Sequence, residues 1–323
     1  MVRLPRSGDE LARALIERWR WLVYRLRWHP WTARALPRIG ATLMDYARLM
    51  RLDRPIGAYL LLWPTLWALW IAARGKPNPR IFAIFVAGVL LMRSAGCVIN
   101  DYADRGFDPC VARTKDRPLA SGRVSTQEAL LLFALLALTA LMLALQLNHL
   151  TLLLAIAGAF LAVTYPFIKR FLPLPQLYLG LSFGWGIPMA FAAESERLPQ
   201  IAWLLFLANI LWVTVYDTIY AMVDRDDDVK IGVRSTAILF GDSDRHIIAV
   251  LQAMTLLSLA LVGRMAGLGP WYWTGLAAAG AFFLRQLWLI RGREPQACWH
   301  AFLNNHYVGM SVFIGILLDY QFK

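Results

Sequence analysis

The sequence predicts an all-α protein: a polytopic transmembrane bundle of about nine spans, preceded by an amphipathic helix on the membrane surface. Three observations carry that expectation. Apolar residues make up 59% of the 323-residue chain and charged residues only 17%, well past the roughly half-apolar, quarter-charged norm of water-soluble domains. Mean hydropathy is +0.49, and mostly apolar runs of about 20 residues recur, each long enough for a bilayer core of roughly 30 Å. Finally, Arg and Lys gather in alternate loops, as membrane topology requires. A barrel would show alternating segments of about ten residues instead.

The same charge distribution excludes a nucleic-acid-binding protein. A net charge of +12 spread over alternate loops is a topology signal and not a basic binding face. The cysteines are Cys97, Cys110 and Cys298, with no CxxC or Cys/His spacing, so neither a disulfide framework nor a zinc site is expected.

Residues 1–45 read as a basic amphipathic extension, and residues 46–323 as the transmembrane domain. Ser7 and Glu10 form a capping-box pattern. Leu11, Leu15, Trp19, Leu22 and Leu26 follow as one apolar stripe, opposed by Arg13, Glu17, Arg20 and Arg27. This suits a helix lying on an anionic membrane surface. An Arg-rich mitochondrial transit peptide is the rival, disfavoured by Asp9, Glu10, Glu17 and the scarcity of Ser.

The nine expected spans are 55–74, 81–100, 127–145, 149–168, 176–194, 200–220, 246–264, 270–290 and 304–320. Loops 101–126, 169–175, 221–245 and 291–300 hold most of the basic loop residues. The N-terminus is therefore expected on the cytoplasmic side and the C-terminus outside. Trp63, Trp67, Trp203, Trp271, Trp273 and Trp299 read as interfacial anchors near span ends, and the scattered histidines read as structural. Spans 2 and 6 each end in an acidic cluster followed by a polar, basic loop, which hints at two related halves.

Those clusters carry the chemistry. Asn100, Asp104 and Asp108 are spaced i, i+4, i+8, so on a helix they stack along one face. Hard oxygen donors at the end of a span suit Mg²⁺, which keeps several waters and shares phosphate oxygens. Asp217, Asp224 and Asp228, spaced i, i+7, i+11, again share a helical face. Asp226 and Asp227 are weaker candidates, because three consecutive Asp residues cannot all face one way. Two facing carboxylate clusters with basic residues nearby describe a site for a metal-bridged diphosphate. A cation-coupled transporter also keeps intramembrane acids and repeated halves, but near midplane; here the acids cluster at span ends. Arg93 lies inside span 2, seven residues before Asn100 and on the same face. A buried arginine there is a functional candidate by default, for an acceptor carboxylate or for the diphosphate, against a structural ion pair. Gly96, one turn from Asn100, leaves room for a close neighbour, helix or substrate.

Asn100-Asp101-x-x-Asp104-x-x-x-Asp108 and Tyr216-Asp217-x-x-Tyr220-Ala221-x-x-Asp224-x-x-Asp227-Asp228 resemble, in order, the two aspartate motifs of the UbiA-type membrane prenyltransferase superfamily. The runs Arg51–Gly57, Gly184–Phe191 and Lys230–Thr236 resemble one branch in particular, the 4-hydroxybenzoate polyprenyltransferases of ubiquinone synthesis. The resemblance runs from about Tyr46 to the C-terminus. It implies Mg²⁺-dependent transfer of a polyprenyl group from its diphosphate to C3 of 4-hydroxybenzoate. Another acceptor, a naphthoate, homogentisate or haem, stays open because diphosphate motifs do not see it. Arg113–Gly122 resembles the family's Arg-Pro-Leu-x-x-Gly loop, which points to Arg117, with Lys115, as diphosphate partners; Lys169 and Arg170 fit the same role. The implied setting is the bacterial cytoplasmic membrane, active site facing the cytoplasm, with the mitochondrial inner membrane as alternative.

Overall fold

The structure, a computed structural model, describes residues 30–106, 108–110, 114–169, 171–172, 174–225, 228–229 and 235–323, with side chains from 40 onward and without that of Cys110. The amphipathic stripe Leu11–Leu26, Arg113, Arg170, Asp226, Asp227 and the Lys230–Arg234 run lie outside the described residues.

Among the described residues every regular element is helical. In order they are α1 (Pro30–Leu49), α2 (Ile56–Ala72), α3 (Pro79–Asp104), a 3₁₀ turn (Asp108–Cys110), α4 (Thr126–Ala144), α5 (His149–Ile168), α6 (Pro175–Gly184), α7 (Gly186–Ser195), α8 (Gln200–Val223), α9 (Thr236–Phe240), α10 (Asp244–Met265), α11 (Pro270–Leu289) and α12 (Pro295–Gln321). Their starts follow from local chemistry. Asn78 accepts from Arg80 N at 2.9 Å with Pro79 as the first helical residue of α3. Ser125 and Glu128 form a reciprocal capping box on α4. Asn148 accepts from Thr151 N at 2.9 Å on α5.

All nine expected spans are helical, yet among the described residues only six helical stretches are long and apolar enough to cross a membrane: α3, α4, α5, α8, α12 and Thr236–Met265, which carries α9 and α10. The difference has three causes. Helix α2 is a shorter apolar helix of 17 residues. Span 5 is two ten-residue helices, α6 and α7, that meet at Trp185. There Pro188 has no N–H for the Gly184 carbonyl, and Gly184 and Gly186 lower helix propensity further. Helix α11 is diluted by Trp271, Tyr272, Trp273, Arg285 and Gln286.

The spans form a ring, α2 to α3 to α4, then α5, α6–α7, α8, α10, α11 and α12, which closes back on α2. Helix α8 is the hub, buried along most of its length. Gly275 and Gly315 let α11 and α12 approach until a Cβ on Gly275 would lie 2.5 Å from Ser311 O. Buried polar side chains tie the spans together: Trp212 donates to Asn305 at 2.9 Å, and Gln252, Gln286 and Asn304 form a chain at 3.0 and 3.2 Å. Trp67 departs from its expected interfacial place: it is buried, stacks on Trp212 and donates to Gly309 O at 3.0 Å. Trp203, Trp271 and Trp273 are exposed, as anchors would be.

Helices α4 and α5 differ from the rest. Ala129 is the one buried residue of α4, and Thr151 and Pro166 those of α5. The two barely touch each other. Helix α1 runs through residue 45, so extension and bundle meet inside one helix. Its end is clipped to α4 by Tyr46 Oη donating to Glu128 at 2.9 Å and by Arg123 donating to Asp45 at 3.1 Å.

Candidate active site

A cavity of about 1640 Å³ occupies the ring. Asn100 of α3 and Asp217 of α8 line it together, which brings the two acidic motifs to one chamber. Arg51 and Arg117 line its polar end, and Leu143 and Leu147 its far apolar end. Leu138 and Leu141 of α4 and Ile156 and Val163 of α5, from two helices that barely touch, line the cavity and are exposed.

The first motif is built in two parts. Asn100 and Asp104 share a face of α3, as expected, and Asn100 Nδ2 donates to Asp104 at 3.1 Å. Lys169 Nζ, from the end of α5, donates to Asn100 Oδ1 and to Asp104 Oδ2, both at 2.7 Å. Asp108 does not continue that face. Helix α3 ends at Asp104, Gly106 follows, and Pro109 disfavours helical backbone at Asp108. Asp108 instead opens the 3₁₀ turn, buried, and accepts from Arg117 Nη1 at 2.8 Å. Burial pushes its carboxyl above the ordinary value, and the Arg117 guanidinium opposes that rise.

Asp101 is the residue that spacing missed. It is buried and accepts from Arg51 Nη2 at 2.8 and 2.9 Å and from Arg117 Nη1 at 3.1 Å. One carboxylate thus holds two guanidinium groups at the mouth of the cavity. Arg51 lies 50 residues away in sequence, beyond any helical periodicity, so no local pattern marks the pair. Lys115 is exposed and does not line the cavity.

The second motif also departs from one continuous helical face. Helix α8 ends at Val223, and Asp224 is its C-terminal cap. Acidic residues oppose the helix dipole at a C-terminus, so a run of Asp there stops the helix. Asp217 stays on α8, lining the cavity, while Asp224 sits half-buried at the break and Asp228 half-buried in the helical turn beyond it, Asp228 N donating to Asp224 O at 2.9 Å.

Deeper in the chamber, Arg93 donates to Cys97 Sγ at 2.6 Å and makes no ion pair among the described residues. Gly57 of α2 is needed beside it, since a Cβ there would collide with the Arg93 guanidinium. Gly96 has nothing within 4 Å of its would-be Cβ and faces the cavity, which leaves the space to substrate rather than to a neighbouring helix. Tyr216 lines the same space, and its hydroxyl is buried without a hydrogen-bond partner among the described residues.

Among the described residues no three His, Cys, Asp or Glu side chains are grouped closely enough to hold a metal ion. The donor set nevertheless fits a hard cation in kind. An amide and a carboxylate oxygen converge on one position, and there the positive charge of Lys169 stands in for a cation.

Three kinds of likeness bear on this geometry. The model of the UbiA prenyltransferase family matches residues 61–312. The 4-hydroxybenzoate octaprenyltransferase of Nitrosococcus oceani is 60% identical over 278 residues, covering 86% of this chain and 98% of that relative. The protein of the same name from Cronobacter sakazakii is also 60% identical over 278 residues, covering 86% and 96%. A solved UbiA homolog from Aeropyrum pernix K1 has a TM-score of 0.72 at 27% identity, covering 81% of this chain and 97% of its own. A homolog from Archaeoglobus fulgidus, solved with GPP and Mg²⁺, shares the fold at a TM-score of 0.64 and 18% identity, covering 83% and 99%. The chain belongs to the UbiA prenyltransferase family.

Proposed function

We propose that this chain transfers a polyprenyl group from its diphosphate to C3 of 4-hydroxybenzoate, with Mg²⁺. The observation that carries the proposal is the arrangement of the chamber: acids and arginines at one end, and an apolar length that opens between α4 and α5. A long prenyl tail needs such an opening, and a diphosphate needs such a mouth. The names of the relatives supply the acceptor and point to an octaprenyl donor.

Asn100, Asp104 and Asp108 on one side, and Asp217, Asp224 and Asp228 on the other, would hold Mg²⁺. Bound there, Mg²⁺ would neutralise the diphosphate charge and so improve the leaving group. Arg117, backed by Asp101 and Asp108, presents its guanidinium to phosphate oxygens. Lys169 moves from the Asn100–Asp104 pair toward the same group; Arg170, next to it in sequence, is proposed as a further diphosphate partner, and Lys115, which does not line the chamber, would contribute only through its charge. Arg93 holds the carboxylate of the aromatic acid, in a wall that Tyr216 shares. That seating sets the carbon ortho to the phenol oxygen toward the allylic carbon as its bond to diphosphate breaks. Loss of the ring proton restores aromaticity. The basic motif end faces the cytoplasm of a bacterial cell whose inner membrane holds the bundle.

The test is an acceptor panel. Purified enzyme is given one long prenyl diphosphate and, separately, 4-hydroxybenzoate, a naphthoate and homogentisate, and products are identified by mass. A 3-prenylated 4-hydroxybenzoate formed at least ten times faster than the others is expected. Preference for another acceptor overturns the assignment of substrate while keeping the chemistry.

A further inference from the structure

Outside the chamber one buried carboxylate is unaccounted for. Asp244, the first residue of α10, is fully buried. It accepts from Arg293 through Nη2 at 2.8 Å and Nε at 3.0 Å, from its neighbour's backbone, Arg245 N, at 2.7 Å, and from Arg225 Nη1 at 3.4 Å. Arg293 belongs to the turn between α11 and α12, where it adopts a positive φ of 58°, a conformation costly to any residue with a Cβ. The same Nη2 also donates to Asp242 O at 2.9 Å. Three segments thus meet at one charge: the end of α8, the start of α10 and the α11–α12 turn.

The bidentate Arg293 alone would neutralise Asp244. The second guanidinium is the informative one, because Arg225 directly follows Asp224 in the turn that Asp228 N closes onto Asp224 O. Helix α8 has already ended at Val223, so its hydrogen bonding does not carry through Asp224 to set the direction of the short helical turn beyond it. The charge of Asp244 does so from outside.

We propose that Asp244 is a positioning residue for the second acidic motif: through Arg225 it fixes the turn that carries Asp224 and Asp228, and thereby sets how tightly the protein binds a divalent cation together with inorganic diphosphate. The inference rests on Asp224 and Asp228 being metal ligands.

Full-length protein in detergent is titrated with Mn²⁺ in the presence of inorganic pyrophosphate, and free Mn²⁺ is read by its paramagnetic resonance signal. Asp244→Asn and Arg225→Gln are each expected to weaken Mn²⁺ binding about tenfold. The double variant is expected to be no weaker than the weaker single one, as two residues of one linkage should be. Arg225→Lys keeps the charge and should recover part of the loss. Arg293→Gln should lower the melting temperature while leaving the Mn²⁺ affinity within about twofold of wild type. A purely structural Asp244 gives the opposite pattern: Asp244→Asn lowers the melting temperature and leaves Mn²⁺ binding unmoved, and that result overturns the proposal. So does a double variant about a hundredfold weaker, the product of independent effects. If Asp244→Asn does not fold, Arg225→Gln on its more accessible side chain decides, and unchanged binding there overturns it equally. Wild-type protein that takes up no Mn²⁺ with pyrophosphate overturns the metal reading itself and this inference with it.

Discussion

The two acidic corners of the chamber are balanced differently. In the first, every carboxylate has a cation: Asp101 has Arg51 and Arg117, Asp104 has Lys169, and Asp108 has Arg117. In the second, the Asp217 side chain makes no hydrogen bond or ion pair among the described residues, and Arg225 is drawn outward to Asp244. The first corner is therefore set in place before any ligand arrives. At the second, Asp217 lines the cavity without such a direct partner, and a cation from solution would meet no competitor for its oxygens among the described residues. Direct ion pairs hold the first corner, whereas Asp217 at the second has none among the described residues.

The largest effect should come from the unbalanced corner. Asp217→Asn should lower turnover about a hundredfold, the loss expected from removing one group aimed at developing or bound charge. It should not lower the melting temperature, because a buried charge without a partner costs stability. Chelation by EDTA should mimic the loss, and Mg²⁺ should reverse it in the wild type. A variant that is both inactive and unstable would mean that Asp217 has a structural partner, and the contrast between corners would disappear.

Asp101→Asn should do the reverse. Leaving Arg51 and Arg117 half-buried beside a neutral amide should cost about 3 kcal/mol of stability, read as a lower melting temperature in detergent. The KM for the prenyl diphosphate should rise, with the Mg²⁺ concentration for half-activation little changed. If Mg²⁺ dependence moves most, Asp101 is a ligand and the first corner is not internally balanced.

Arg93 stands between the corners. Arg93→Leu should raise the KM for 4-hydroxybenzoate about ten- to a hundredfold, the equivalent of a charged hydrogen bond of roughly 1.5–3 kcal/mol, and leave that for the prenyl diphosphate near wild type. Gly57→Ala, which pushes the guanidinium aside, should shift the same constant in the same direction. A rise in the diphosphate KM instead would assign Arg93 to the phosphate end. The smallest change should follow Lys169→Met, which strips the cation from Asn100 and Asp104 and makes the first corner resemble the second. Half-activation by Mg²⁺ should then fall about fivefold, roughly 1 kcal/mol, while diphosphate binding weakens. Unchanged Mg²⁺ dependence would show that Lys169 and the metal do not compete for the same oxygens.

How much of this was legible beforehand depended on the range of the interaction. The Asn100–Asp104 pair and the helical character of all nine apolar runs follow from periods of four residues and of about 20, which a chain displays locally. Spacing puts Asp108 and Asp224 on continuous helical faces, but α3 stops at Asp104 and α8 at Val223, short of both. The stop signals were present, Gly106 and Pro109 in one case and the acidic C-terminal run in the other. The break at Trp185 was equally signposted by Pro188 between apolar stretches. Asp101 and Asp244 were invisible for a different reason. Their arginines come from 16 to 50 residues away, and only the packed bundle brings such groups together.

If the donor enters between α4 and α5, as proposed, that route would also determine which concentration the enzyme senses. A donor that arrives through Leu138, Leu141, Ile156 and Val163 arrives sideways, from the plane of the bilayer. Its encounter rate then follows the mole fraction of the lipid in the membrane and not its amount per volume of cell or assay. Spreading a fixed quantity of donor over more inert lipid or detergent slows such an enzyme, although nothing in the bulk solution has changed. The prenylated product, discharged the same way, remains in the two-dimensional pool from which the next membrane-bound reaction draws.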